Sequence, residues 1–569
     1  SNPLIIGSVA GDRVINSLMY SFAVSSAEEV TEQDIIFSRN GNTYTSIESG
    51  NVITHFAANS ALNASNFDIY LALKNPSPDG LAAYPVDNYM NNTTTSVTLT
   101  GSTEVSINSN SSVLGLFGAG AALAFGGQSD SNVLGKTHII NESTVNAENL
   151  KGISLGLVGG GLALSALGGE SNATVGSDES NVSTQIDLQT AISAAVVGGG
   201  IAVNVDLSPI ETLIQGMELP DSLQNIGLKE IELTINPHDE IEKANATISG
   251  NTLINASSQS TSAMIMGGGI AISNPGSSSG SSNATTEGTV NITLNGQKLT
   301  DEQKGAYQDS VEKLYKLGWT TLNQIISPDS EVNVDELLDQ LQTSADELNV
   351  PGVHVGNMGG GLAVARGTNN TIQSTAKTDV NNVVMNLAGG YNVANLAGGM
   401  AIAFGGSETA ENEVVSNSHV GEVEINITGG DAVLVAGGGA TYATTYDAKP
   451  GYNSMVSAQA TVDKATINIA NQDTVVDGVF GGGIAVDDTN AAQTNATTTT
   501  NDVTINVHGG TVNAADLGVM DKFFDDALSS TGAPATVGTY ALETSGLVES
   551  ANVAILGAGM ASGGKALAN

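Results

Sequence analysis

The 569 residues contain no cysteine, so no disulfide framework and no thiolate metal site can hold this chain together. A chain without thiols suits passage through an oxidising compartment, where stray cross-links would otherwise form. Basic residues are scarce too: Lys and Arg number 17 against 58 Asp and Glu, for a formal net charge of −41. A surface that negative repels phosphate backbones and anionic head groups, which argues against nucleic acid and against direct membrane insertion. Arginine occurs only at Arg13, Arg39 and Arg366, which removes the usual bidentate grip on carboxylates and phosphates. Charged residues make up only 13%, and Gly, Ala, Ser, Thr and Asn dominate, poor material for a helical or α/β core. The opening Ser1-Asn2-Pro3 has neither a basic nor an apolar leader segment, so the chain is expected to be a mature or trimmed form. The nearest thing to a membrane span is the uncharged run Gly152 to Gly169, but its centre is Gly159-Gly160-Gly161 and related blocks recur along the chain.

Those blocks are the main signal. Gly118-Ala119-Gly120, Gly159 to Gly161, Gly198 to Gly200, Gly267 to Gly269 and Gly359 to Gly361 are followed by Ala397-Gly398-Gly399, Gly437 to Gly439, Gly481 to Gly483 and Gly557-Ala558-Gly559. Their first positions are 41, 39, 69, 92, 38, 40, 44 and 76 residues apart. Five spacings cluster near forty, and the three longer ones read as insertions into a repeat. An apolar–Ala–apolar triplet follows most blocks, as in Ile201-Ala202-Val203 and Leu362-Ala363-Val364. A second element alternates with period two: Val423-Glu424-Ile425-Asn426-Ile427, Ala465-Thr466-Ile467-Asn468-Ile469 and Val503-Thr504-Ile505-Asn506-Val507. Such alternation predicts strands with Val and Ile inward and Thr, Glu and Asn outward, stacked into ladders about 4.8 Å apart. Gly429-Gly430 and Gly509-Gly510 mark corners where φ can be positive. Three glycines inside an apolar strand cost backbone entropy, so something must need the missing side chains. Close approach of main chains, or of the two faces of a flattened coil, supplies that need.

The expected fold class is therefore all-β, a parallel β-helix or β-solenoid of roughly forty-residue repeats with short α-helical insertions. Residues 1–95, richer in aromatics, are expected to form a β-rich N-terminal cap, and 96–569 the solenoid. Helical insertions are expected at about 206–240, 297–350 and 514–545. Ser208-Pro209-Ile210-Glu211 and Thr300 with Gln303 are capping boxes. Val311, Leu314, Tyr315, Trp319, Leu322 and Ile326 keep helical spacing; a partner helix from about Asn333 would use Leu337, Leu338, Leu341 and Leu348. Leu517, Met520, Phe523 and Phe524 form a third stripe. Such stripes are expected to pack on the solenoid. Insertions on one solenoid face are also frequent binding surfaces, which makes Tyr307, Tyr315, Trp319, Phe523 and Phe524 the candidate partner-binding residues.

Catalytic patterns are thin. Gly152 to Gly156 and Gly276 to Gly280 match Gly-x-Ser-x-Gly without the strand–turn–helix setting of a nucleophile elbow. Gly559 to Lys565 has phosphate-loop spacing, but Ala566 replaces the hydroxyl residue that would hold magnesium. The histidines lack metal-ligand spacing; His138 and His419 occupy similar sequence settings, consistent with repetition in a ladder. Asp487-Asp488 is the one place considered for calcium. No catalytic, cofactor or metal residues are assigned, no cofactor is expected, and the chain is expected not to be an enzyme.

The run Asn412 to Gly430, followed by the apolar–glycine strand Val433 to Ala440, resembles the passenger domains of Gram-negative type V autotransporters and related adhesins with pertactin-like right-handed β-helices. The resemblance covers roughly residues 96 to 569 and implies a surface-displayed or secreted bacterial protein. Its partner would be a host glycan or protein, or another copy on a neighbouring cell. The leading expectation is an adhesin or self-association module working through the solenoid wall and inserted helices. The alternatives are a carbohydrate-active or peptidase enzyme on a β-helix and a passive surface stalk.

Overall fold

The computed structural model describes residues 101–107, 115–125, 128–145, 152–166, 168–178, 181–206, 241–276, 278–326, 343–367, 371–405, 413–445, 455–487, 494–514, 554–563 and 565–569, and the backbone of eight strands before residue 100. The side chains at 319–326 lie outside this set. One coil starts with a strand such as Ile153–Val158, crosses the glycine block and continues as Leu162–Ala166. It then returns along Glu170–Val175 and Val182–Leu188. Stacked coils make three sheets: a first sheet before the glycines (13 strands), a middle sheet after them (10 strands) and a long sheet on the return (16 strands). From Ser279–Leu294 to Thr494–Val507 the long-sheet strands run unbroken for 14 to 16 residues. Pairing is parallel except in the hairpin Leu4–Ala10 with Arg13–Met19 and in the separate pair Ile35–Ser38 with Asp68–Leu71.

Register settles how wide the repeat is. Ala121 pairs with Leu162, Leu162 with Ile201, Ile201 with Ile270 and Ile270 with Leu362. Each glycine block is one coil, and the longer spacings are insertions that leave the register untouched. Six of the eight strands before residue 100 join these sheets. Phe22–Ser25 pairs with the middle-sheet strand at Ala121, and Ser46–Ser49 and Val52–Phe56 pair with strands of the long sheet. The first sheet likewise continues into Arg13–Met19. All three sheets therefore run through the boundary expected at residue 95.

The glycine blocks lie where the first and middle sheets meet, and none of them needs a positive φ. They are needed for space. The middle position of each block donates its N–H to the carbonyl of the same position one coil on: Gly160 to Gly199, Gly199 to Gly268, Gly268 to Gly360, Gly360 to Gly398, Gly398 to Gly438 and Gly438 to Gly482, at 3.0–3.2 Å. A Cβ on Gly160 would lie 2.7 Å from Gly200 Cα, and one on Gly360 2.6 Å from Gly399 N. Alanine takes the middle place only in the outermost blocks, at Ala119 and Ala558, and there the bonds lengthen to 3.3 Å. The flanking glycines face the long sheet: a Cβ on Gly159 would lie 3.2 Å from Thr184 Cβ, and one on Gly161 3.0 Å from Ala173 Cβ.

The corner thus presses against the long sheet and splits the interior in two. One lobe is filled by large apolar ladders such as Leu157–Val196–Ile265 against Ile139, Ile186 and Ile254. The other is thin and built from alanine, with Ala363, Ala401, Ala443 and Ala485 facing Ala376, Ala458 and Ala496. Pressing the corner inward also leaves a valley outside, where Val197, Met266 and Met358 pack against Ile201, Ile270, Leu362 and Phe404. The two halves of the Gly152–Gly169 run are strands on either side of this corner, and among the described residues no helix is long and apolar enough to cross a membrane.

Positive φ is confined to turns. Gly152 (86°), Gly352 (81°), Gly390 (79°) and Gly430 (67°) each precede a first-sheet strand, where the expected corner glycines do adopt this conformation. Ala191 (78°) occupies the same place with a side chain. Left-handed backbone costs an L residue about 1 kcal/mol or more. Ala191→Gly is therefore expected to raise stability by about 1 kcal/mol, and Gly360→Ala to lower it by about 2–3 kcal/mol through overpacking on main chain. Denaturant unfolding of both variants measures this. A neutral Gly360→Ala would contradict the close-approach account.

Candidate functional site

The largest insertion forms helix α1 (Asp301–Ile326). Its start is the expected capping box: Gln303 N–H donates to Thr300 Oγ1 (3.2 Å), and Thr300 N–H to Gln303 Oε1 (2.9 Å). Asp301 and Glu302 face the positive end of the helix dipole. Residues 343–348 are helical, and the remainder of the expected partner helix, 327–342, lies outside the described residues. Tyr307, Val311, Leu314 and Tyr315 pack with Leu348 against outward side chains of the first sheet, including Ile153, Ile192, Ala263 and Val353. Gly318 allows this approach, because a Cβ there would already lie 3.2 Å from Ala263 Cβ.

The helix is seated on Ile192–Val197, Thr261–Met266 and Val353–Met358. Its first turns extend over later coils, leaving a cleft of about 450 Å³. Val355, Val393 and Val433 belong to its sheet side together with Tyr391; Gln308, Glu312 and Tyr315 line the helix side, and Asp477 comes from a later coil. Lys304, which lines the cleft, pairs with Asp431, with Nζ 2.9 Å from Oδ1. Asp431 is fully buried, and its Oδ2 has no hydrogen-bond partner. Burial pushes this carboxyl above the usual carboxylate range, against the pull of the Lys304 ammonium. Asp477 Oδ1 accepts a hydrogen bond from Asn513 Nδ2 (2.8 Å), and Glu312 pairs with Lys316 (3.3 Å).

The outer wall of the long sheet is a second array. Asn426 donates to Asn386 (3.1 Å), Asn468 to Asn426 (2.9 Å) and Asn506 to Asn468 (2.9 Å), one asparagine per coil. An earlier column runs Asp130, Asn172, Asn245, Asn283 with bonds of 2.8–3.0 Å. His419 bridges coils, with Nδ1 2.8 Å from Asp379 and Nε2 3.1 Å from Asp463. The Asp379 hydrogen bond, reinforced by Asp463, raises the His419 pKa and lowers that of Asp379. His138 sits 2.6 Å from Asp187. Against the raising effect of burial, the bonds to His138 and Asn255 hold Asp187 below its ordinary value. The similar settings of His138 and His419 do not make them equivalent. His138 belongs to Thr137–Asn141, in the second half of the return strand, whereas the His419 column leads back through Asp379 and Thr285 to Asn132 in the first half. Early coils break this strand at Leu134–Lys136, which offsets the sequence comparison. Inside, His354 is fully buried, with Nδ1 2.6 Å from Ser262 Oγ, and burial depresses its pKa to about 4.

Of the candidate residues, Tyr307 and Tyr315 lie on α1 partly buried against the sheet, and Tyr315 also lines the cleft. Trp319 is on α1 with its side chain outside the described set; Phe523 and Phe524 are outside it altogether. Lys304, Tyr391, Asp431 and Asp477 were not expected. Asp431 carried a signal, since its column otherwise reads Ile153, Ile192, Thr261, Val353 and Tyr391. Ser154 of the first Gly-x-Ser-x-Gly is buried within a strand and accepts a hydrogen bond from Asn141 Nδ2. Asp487 Oδ2 accepts the Lys565 N–H (2.8 Å), and Asp488 lies outside the described residues. No family model, curated protein or solved structure matches the chain. Its class rests on its own geometry: a parallel β-solenoid carrying a helix-roofed cleft.

Removing Lys304 strands a buried carboxylate. Lys304→Met is expected to lower stability near neutral pH by about 3 kcal/mol. The loss should shrink as pH falls through the raised Asp431 pKa, because a neutral carboxyl needs no counter-ion; thermal unfolding across pH reads both. His419 acts with the opposite requirement. Its raised pKa contributes stability below about pH 6.5 that is lost as pH rises through the folded value. His419→Gln is therefore expected to be less stable than the parent in mild acid, by under ~1 kcal/mol for so exposed a pair, with the gap closing in mild base. A gap that widens with pH would contradict the clamp.

Proposed function

We propose that this chain is the binding portion of a bacterial surface adhesin, displayed outside the outer membrane or secreted, and that it binds rather than catalyses. The observation that carries the reading is the in-register stacking of like polar groups on the outer wall, above all the Asn386–Asn426–Asn468–Asn506 ladder. A rigid array at strand spacing offers one weak contact per coil, and simultaneous engagement turns weak contacts into avidity. The net charge of −41 keeps such a surface soluble and away from anionic lipid. A carboxylate pair acting on a glycoside must be free to reach its substrate. Of the carboxylates lining the cleft, Glu312 is paired with Lys316 and Asp477 accepts a hydrogen bond from Asn513, which favours holding over cleaving. The resemblance to autotransporter passengers supports the cell-surface setting.

Beads coated with the whole chain test the proposal against epithelial cells and against one another. Adhesion or clumping at least tenfold above albumin-coated beads is expected. Inert beads in both assays would remove the adhesive reading and leave the stalk.

A further inference from the structure

We propose that His354 is an acid-released latch at the root of the α1 insertion: neutral, it keeps closed the coil that seats α1, and protonated, it opens that coil. The device goes beyond the adhesive reading and stands or falls without it.

The large lobe changes character in two neighbouring coils. Its inward column on the first sheet reads Leu157, Val196 and Ile265, continues as Asn357 and Asn395, and returns to Val435 and Val479. Beside it Ser154, Ser193, Ser262, His354 and Asn392 stack in register, followed by Ala432 and Val476. All of these polar side chains are buried. The Asn357 amide donates to the His354 carbonyl (3.3 Å) and to Asn395 Oδ1 (2.9 Å). His354 is the titratable member of the cluster. Its Nδ1 lies 2.6 Å from Ser262 Oγ, but Nε2 has no partner, and neither has Asn357 Oδ1 or Asn392 Oδ1. A half-satisfied polar network costs more than the apolar side chains that fill the same columns elsewhere. The strain is concentrated around the imidazole.

Position gives the cluster its leverage. The insertion rejoins the coil at Val350, and His354 is in the strand that follows, Val353–Met358. Thr261 Oγ1 donates to the Val350 carbonyl (2.9 Å) and Gly352 N–H to that of Ser260 (2.9 Å), while Gly352 (φ 81°) supplies a hinge. Val353 and Val355, on either side of His354, pack outward beneath α1. No carboxylate among the described residues faces the ring from within. Its sheet neighbours offer Ser262 and Asn392, and the return strands turn Ile292, Leu294, Met385 and Leu387 into the same lobe. Lys304, Tyr307, Glu312, Tyr315, Tyr391, Asp431 and Asp477 lie on the outer side of the sheet, on α1 or around its cleft. A proton added to His354 therefore makes a buried cation with no counter-ion, which a protein interior tolerates poorly. Desolvation alone depresses its pKa to about 4, and the ordinary value of 6.5 returns when water reaches the ring. Opening thus takes up a proton. It is indifferent to pH above about 6.5, gains about tenfold per unit below that, and levels off below about pH 4.

The test is hydrogen exchange of the intact chain, read by mass spectrometry between about pH 7.5 and about pH 4.5 and corrected for the intrinsic exchange rate. Peptides covering 301–318 and Val353–Met358 report the latch; the return strand Met455–Ile469 reports the solenoid. Protection of α1 and its seat is expected to hold constant above about pH 6.5 and to fall at least about twentyfold by pH 4.5, with the return strand unchanged. His354→Asn and His354→Ser put into the column side chains that it already carries at Asn392 and Ser262. Each should match the parent at neutral pH and lose the acid response. Asp431→Asn, which removes the carboxylate paired with Lys304, should keep it. Protection that does not fall in acid overturns the proposal. So does a fall that persists in the His354 variants, which would assign it to other groups, and so does equal loss in the return strand, which would mean unfolding of the whole solenoid. Histidine NMR of the parent needs no variant: a buried imidazole titrating near pH 4 is expected, and ordinary values for all 6 histidines in the folded chain would overturn the latch.

Discussion

Main chain packed directly on main chain at the glycine corner is the constraint from which the rest of the solenoid follows. The column from Ala119 to Ala558 is an unbroken file of peptide bonds, each donating to the next coil, with backbone atoms close enough that an added Cβ would collide. Ordinary parallel sheets keep their polypeptides apart with side chains and turn corners in loops. Here the corner itself is part of the hydrogen-bond ladder, because the first and middle amides of the blocks donate to the next coil. The entropic cost of so many glycines is offset by bonds repeated in every coil.

From that corner come both the division of the interior and the exterior relief. Pressed against the long sheet, it separates an Ile/Leu/Val lobe from an alanine lobe only wide enough for methyl groups. The outer faces of the first and middle sheets then face each other across a valley lined by Met266, Ile270, Leu362 and Phe404. Helix α1 packs on the neighbouring outward residues, and Tyr315 reaches both clusters. Around Leu314 to Gly318 it finds a floor of small and branched residues and sits close; its first turns meet Tyr391 and the charged Asp431 and stand off. The cleft is the space left by that mismatch.

Most of the coil was legible in the residues because its signals are local and repeated. Spacing of the glycine blocks matched the pairing register, and Ile425-Asn426-Ile427 showed which side chains point inward and which build the outer ladder. Thr300 and Gln303 announced the start of α1. What escaped sequence reading joins distant segments or breaks the repeat. Lys304 and Asp431 lie on different elements more than a hundred residues apart, and only the three-dimensional overhang of α1 brings them together. Ala191 hides a left-handed backbone behind a residue type that rarely adopts one. His138 and His419 look alike in sequence, yet a break in the early return strands puts them in different columns. The N-terminal strands carry no glycine block, so the membership of six of them in the three sheets had no periodic signature to betray it.

Hydrogen exchange at the amides of Gly160, Gly199, Gly268, Gly360, Gly398, Gly438 and Gly482 tests the central claim most directly. If the corner is a true ladder, these amides exchange as slowly as those of the flanking strands, such as Val196 and Ile201. Exchange at the rate of an open loop, with the flanking strands protected, would show that the glycines are spacers and that the coils are not joined through main chain.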